Sequence, residues 1–272
     1  MTISTSLRLT TIPFIISSEL QGAANGQGFR VAMGESNGWQ FWQSASAPGE
    51  IALASCGIEG PWFLSVQHNG VARELEGEKA EPCARGHAGA FAFPTRDSLY
   101  EGVRRAYELA LSLPTLPLEK FKDELAKIGA TERDAMIRQR VGQDIFREAL
   151  MTYWRGTCPM TGITDPELLR ASHIIRWSEC SSDEERLDVH NGLLLSSLWD
   201  AAFDAGLITF DDEGRVLAAR ELSRAARAEL RIEDARPLAL VGATQERMAW
   251  HRKHLFRDEI GTMEEKRPLG GR

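Results

Sequence analysis

The chain has 272 residues, enough for one large or two small units around a sizeable core. Hydrophobic residues make up 43% and charged residues 26%, an ordinary globular balance that excludes fibrous and low-complexity classes. A net charge of −7 gives no support for holding nucleic acid by bulk charge, although local basic patches count for more than the sum.

The opening stretch "MTISTSLRLTTIPFIISSEL" has no basic n-region, long apolar stretch or small-residue cleavage site, so it reads as a strand rather than a secretory signal. Short strands are expected at "FRVAMGE", "WQFWQS", "EIALASC", "WFLSVQH" and "GAFAFP", divided by turns at Asn37-Gly38, Pro48-Gly49, Gly60-Pro61 and Asn69-Gly70. The last of these, in "HNGVA", reads as a hairpin. Trp39, Phe41 and Trp42 fit either the core of a β-rich unit or a base-stacking pocket. A helix is expected from about Asp97 to Leu113, capped by Asp97 or Ser98, with Leu99, Val103, Tyr107 and Leu111 on one face. "SLPTLPLEKF" carries two prolines and reads as a boundary, dividing the chain into a β-rich part, 1–115, and a helical part, 116–272.

The next helix is expected over about Thr131–Trp154, with Ile137, Val141, Ile145, Ala149 and Tyr153 as its buried face and Thr131 with Asp134 as a capping box. "GTCPMTGITD" breaks it. Then come the strand "ASHIIRW", the polar loop "SECSSDEERLDV", the strand "NGLLLSS", a helix over about Leu198–Ala205, and a hairpin turning at Asp211 to Gly214. The chain from about Ala219 onward reads as helical. The predicted class is α+β.

The four cysteines, Cys56, Cys83, Cys158 and Cys180, form no CxxC pair, which argues against a disulfide framework or zinc knuckle and for a reducing, cytoplasmic setting. Cys158 reads as a buried small hydrophobe. No apolar run approaches the roughly 20 residues of a membrane span.

The chemistry concentrates around "ASHIIRW". His173 sits in an apolar, β-branched run and has no His or Cys at ligand spacing on its own strand. A strand, loop, strand and helix in that order can bring His173, Asn191, Asp200 and Asp204 to one point. Asp200 and Asp204 are one helical turn apart and could both reach one cation. A neutral imidazole beside carboxylate-held Mg²⁺ or Mn²⁺ suits phosphodiester hydrolysis. Arginines including Arg140, Arg147 and Arg176 precede or flank this region and are either phosphate ligands or solvated helix surface. His190 is expected at the surface. In "WHRKH", His251, Arg252 and His254 read as a basic helix face touching phosphate or solvent rather than as a metal pair.

The segments "CPMTG", "LLRASHIIRW" and "RLDVHNGLLLSSLWDAAFDAGLITFDDEG" resemble the HNH endonucleases of the ββα-metal type. Within them the chain is similar to a branch found in bacterial restriction and defence proteins, over about residues 131–256. The resemblance implies an endonuclease that hydrolyses DNA with a divalent cation, Mg²⁺ or Mn²⁺ being the expected choice. It implies His173 as general base, Asn191 as the residue bracing the two strands, and Asp200 and Asp204 as metal ligands. Arg140, Arg147, Arg176 and Arg252 are the expected nucleic-acid contacts, and DNA the expected partner, with a homodimer left open. Ser172 stands where many members carry a metal ligand, and Arg176 where this branch commonly has Pro. Two alternatives stay open, a degenerate nucleic-acid-binding or regulatory module, and an effector whose amino-terminal part senses something other than DNA.

Overall fold

The computed structural model describes residues 2–128 and 132–257. Thr131 and the side chain of Asp134, the expected capping box, lie outside the described residues. The fold is mixed α+β, with a β-rich amino-terminal part. In chain order this part runs β1 (Ile3–Ser4), α1 (Phe14–Gly26), β2 (Val31–Ser36), β3 (Trp39–Gln43), β4 (Glu50–Ser55), β5 (Trp62–Val66), α2 (Asn69–Glu74), β6 (Glu78–Glu81), β7 (Gly89–Phe93) and α3 (Arg96–Ser112). The strands form one sheet in the order β1-β6-β7-β5-β4-β3-β2, antiparallel except where β1 pairs with β6.

Strand alternation sorts the two faces of this sheet by size. Ile51, Leu53, Trp62, Leu64, Val66, Phe91 and Phe93 project onto α1 and α3 and make the larger core. Ala52, Ala54, Ala80, Ala90 and Ala92 line the other face, where small side chains let the 82–88 loop lie close. Ser65 ties that loop down, accepting from the amide of Ala84 at 3.1 Å and meeting His87 Nδ1 at 3.1 Å. Trp39 and Trp42 are 2% and 4% exposed, which makes them core residues and not a stacking platform.

Two sequence expectations fail here for local reasons. The opening stretch holds only the two-residue β1 and turns helical at Phe14, because the apolar residues after Pro13 follow a helical rather than a strand repeat and bury Ile16, Leu20, Ala23 and Ala24. "HNGVA" is the start of α2, because His68 caps it, its Nδ1 accepting from the amides of Gly70 and Val71 at 3.1 and 3.3 Å. The Pro-rich segment is α4 (Thr115–Leu125), where Pro117 sits in the first turn and needs no hydrogen-bonded N–H. For α3 the cap is Thr95 in a capping box with Ser98, two residues before the earlier of the two expected positions.

α5 (Glu132–Tyr153) follows. Its buried stripe is Gly142, Phe146, Ala149 and Leu150, while Ile137 is 42% exposed. Of the expected stripe, Ala149 is in the core and Val141, Ile145 and Tyr153 pack against it half-buried; its first member drifts out, as a strict four-residue step does on a 3.6-residue helix. Phe121 of α4 and Phe146, Ala149 and Leu150 of α5 belong to the same core as α1, α3 and the sheet, so that core runs past residue 115.

The carboxy-terminal region contains β8 (Leu169–His173), α6 (Asp183–Leu187), β9 (Gly192–Ser196), α7 (Ser197–Asp204), β10 (Ile208–Phe210), β11 (Val216–Ala218), α8 (Arg224–Glu229) and α9 (Gly242–His254). β8 and β9 pair antiparallel, with His173 opposite Gly192, and β10 and β11 form the expected hairpin. The loop expected to be purely polar contains α6, capped by Ser182. The described chain after Ala219 carries α8 and α9, helical as expected. Cys158 is fully buried in the second core, with Leu193, Leu195, Trp199, Phe203 and Met248.

Candidate active site

β8 carries Ser172 and His173 side by side, and alternation sends them to opposite faces. The His173 ring lies on the α5 side, stacked on Phe146 with centroids 3.9 Å apart, and meets the edge of Trp177 at 5.7 Å. Gly192, its cross-strand partner, leaves room for this stack, since a Cβ there would stand 2.4 Å from Phe146 Cζ. Gly142 of α5 makes the same allowance for Trp177.

His173 Nε2 is 2.9 Å from the carbonyl of Arg186. A carbonyl only accepts, so Nε2 carries the proton and Nδ1 keeps the lone pair. Nδ1 has no hydrogen-bond partner among the described residues, and the residue is half-buried. Burial pushes the imidazole below its ordinary value, and the Arg186 carbonyl opposes this. The product is a neutral ring in one tautomer, which is the form that can take a proton.

Asn191 is fully buried and uses both ends of its amide. Oδ1 accepts from the amide of Ile175 at 2.9 Å; Nδ2 donates to the carbonyls of Ile175 and Glu185, each at 3.2 Å. One side chain therefore pins the exit of β8 to the segment carrying Arg186. That segment is fastened again by the Arg186 guanidinium, which donates to the carbonyls of Trp177 and Cys180 and to Asp183.

On the other face, the Ser172 hydroxyl lies beside the Asp200 carboxylate. Burial raises the Asp200 pKa and nearby Asp204 adds to the rise, while Ser172 and Arg170 work against it. Asp204 is exposed and faces Arg176, whose Nε stands 3.8 Å from its carboxylate and whose Nη2 donates to its carbonyl at 3.0 Å. The structure thus brings His173 together with Asn191, and Ser172 with Asp200 and Asp204. No hydrogen bond or ion pair joins the two groups among the described residues.

For a cation, no group of three or more His, Cys, Asp or Glu side chains among the described residues is arranged to hold a metal ion. The available donors are the Asp200 and Asp204 carboxylates and the Ser172 hydroxyl. An all-oxygen set with two carboxylates fits Mg²⁺ or Mn²⁺, ions that take their remaining ligands from water and phosphate.

Residues 158–211 match the family model for HNH endonuclease. The HNH segment runs from Cys158 to the turn after β10, about a fifth of the chain and narrower than the 131–256 expected from the sequence. It holds His173, Asn191, Asp200 and Asp204 and points to a nuclease-like function. No curated protein matches the chain. No helix among the described residues is long and apolar enough to cross a membrane.

Several expected roles around the HNH segment change. His190 is not at the surface; its side chain is 11% exposed, held by Glu74 and Asp188 at 2.8 and 2.9 Å. His251 is not on a basic face, because its ring is fully buried and stacked 4.0 Å from Phe203, with Nδ1 3.0 Å from Thr209 Oγ1. Arg147 gives its guanidinium to the carbonyls of Leu169 and Pro166, and Arg252 to the Phe210 carbonyl and Asp212, so both brace the fold. Arg140 and Arg176 stay exposed. Sequence reasoning missed Phe146, Trp177 and the Arg186 carbonyl. Their signals, Gly142 and Gly192 opposite aromatic rings, become legible only once α5 is laid across the hairpin.

Proposed function

We propose that the chain is a divalent-metal-dependent endonuclease that hydrolyses phosphodiester bonds in DNA, with His173 as general base. The observation that carries the reading is the His173 tautomer. Its Nε2–H is tied to the Arg186 carbonyl, its Nδ1 is left without a partner, and its pKa lies below the ordinary value, so the ring is neutral at physiological pH. Nδ1 accepts a proton from the attacking water as the new P–O bond forms, and the resulting imidazolium gains from the Arg186 carbonyl at its other nitrogen. The leaving oxygen departs with its electron pair and is protonated by solvent. Asn191 acts by holding both strands and the Arg186 segment in place.

A divalent cation, when bound, neutralises charge on the scissile phosphate and the departing oxygen; Asp200 and Asp204 are the residues that would hold it. Arg176, exposed beside Asp204, and Arg140 on α5 are suited to phosphate contacts. Restriction or phage defence, with the amino-terminal part selecting the DNA, is the role we assign to the whole chain. Challenge of cells carrying or lacking the gene with phages of modified and unmodified DNA tests that role.

A second reading, a nucleic-acid-binding module without catalysis, is favoured by the missing third ligand and by Arg176 lying against Asp204. Calorimetric titration with Mn²⁺ in the presence of uncleavable DNA separates the two. The nuclease reading expects binding that Asp200→Ala weakens at least tenfold. No heat with or without DNA favours the second reading.

A further inference from the structure

His190 lies immediately before Asn191, in the turn Val189–Asn191, and no role in hydrolysis uses it. Its two ring nitrogens face carboxylates on opposite sides, Nε2 against Glu74 at 2.8 Å and Nδ1 against Asp188 at 2.9 Å. Ionised carboxylates only accept, so both nitrogens carry protons and the ring is a buried imidazolium. The groups around it come from every element packed there. Glu74 ends α2, Tyr153 of α5 donates to Glu74 at 2.8 Å and meets the His190 ring edge-on, and Arg247 of α9 pairs with Asp188 at 2.6 Å. Arg105 of α3 lies over the Tyr153 ring. Glu74, Arg105, Tyr153 and Arg247 all lie outside the matched segment 158–211.

We propose that Glu74, on the amino-terminal sheet unit, is a positioning residue for the nuclease site: through the His190 imidazolium it holds the turn whose next residue, Asn191, fixes β8 and His173. The path is continuous. The backbone of Asn191 accepts from Ile174 and its side chain accepts from Ile175, so displacement of the turn pulls on the two residues that follow the base. This inference rests on the reading of His173 as base, but the coupling itself is structural and can be measured without cleavage. Burial works against the His190 charge, but Asp188 and Glu74 outweigh it and push the pKa up to about 9. Above that pH one nitrogen presents a lone pair to a carboxylate and the turn loses its anchor.

The test follows three quantities against pH in the full chain, wild type and Glu74→Gln. They are the His190 ring titration by NMR, the hydrogen-exchange protection of the Ile175 amide, and the alkaline limb of DNA cleavage. Removing one charge that close lowers the titration midpoint by about 1–3 pH units. Ile175 protection and the cleavage limb are expected to move with it. Where Glu74→Gln does not fold, Glu74→Asp, which keeps the charge but withdraws it from His190 Nε2, is expected to move all three in the same direction by less. A His190 midpoint that shifts while Ile175 protection and the cleavage limb stay fixed overturns the proposal. So does an unshifted midpoint. Should the wild type cut no DNA, the nuclease reading fails and Ile175 protection alone decides the coupling.

Discussion

His173 is where the sequence speaks most directly, because a lone imidazole in a β-branched run has few reasons to be there. Its identity was legible; its tautomer was not, since that depends on a carbonyl 13 residues away. His173→Ala is expected to lower the cleavage rate by about 10²–10⁴-fold without unfolding the chain, checked by circular dichroism. The same residue also fixes the sign of the pH dependence. Because burial depresses the His173 pKa, activity is expected to persist below the ordinary imidazole value near 6.5 and to fall only at lower pH. A pH–rate profile checks this, and a fall beginning above 6.5 would contradict it. Asn191 was legible as a brace, and its four contacts give the prediction a magnitude. Asn191→Ala leaves buried partners unpaired and is expected to cost about 1–3 kcal/mol in urea unfolding, with activity lost as well.

At the scale of elements, the hairpin β8–β9 works only because α5 covers one face and α7 the other. Gly192→Ala is expected to destabilise by about 1–3 kcal/mol, because the new Cβ meets Phe146 and Leu150 with no room to relax. The same substitution should disturb the His173 stack, so cleavage falls even where the variant remains folded. α9 gives a second, opposite check. Burial pushes His251 down to about 4, so its contribution to stability is complete above about 6.5 and is lost as pH falls toward 4. Urea melts across that range should show a steeper acid limb for wild type than for His251→Phe. Helices and strands with a clear repeat were readable, whereas α2 and α4 were not. His68 and Pro117 overrode the Asn-Gly and double-proline signals through capping and first-turn geometry.

At the scale of the whole molecule, one core includes residues from both sides of position 115. The core that begins on α1 includes Phe121, Phe146, Leu150, Leu187 and Val189. A fragment starting at residue 116 is therefore expected to show broad, non-cooperative thermal unfolding; a sharp transition equal to that of the full chain would contradict this. Such long-range joins leave little trace in local pattern, since Glu74 and His190 are 116 residues apart. The central claim is that a neutral, tautomer-fixed His173 activates water for DNA hydrolysis. The most direct measurement is digestion of supercoiled plasmid and of phage DNA with Mg²⁺ or Mn²⁺, wild type beside His173→Ala prepared in parallel. Metal-dependent nicking or cutting by wild type that the variant loses is the expected result; equal cleavage by both proteins, or none by either on any DNA, would contradict the role proposed for His173.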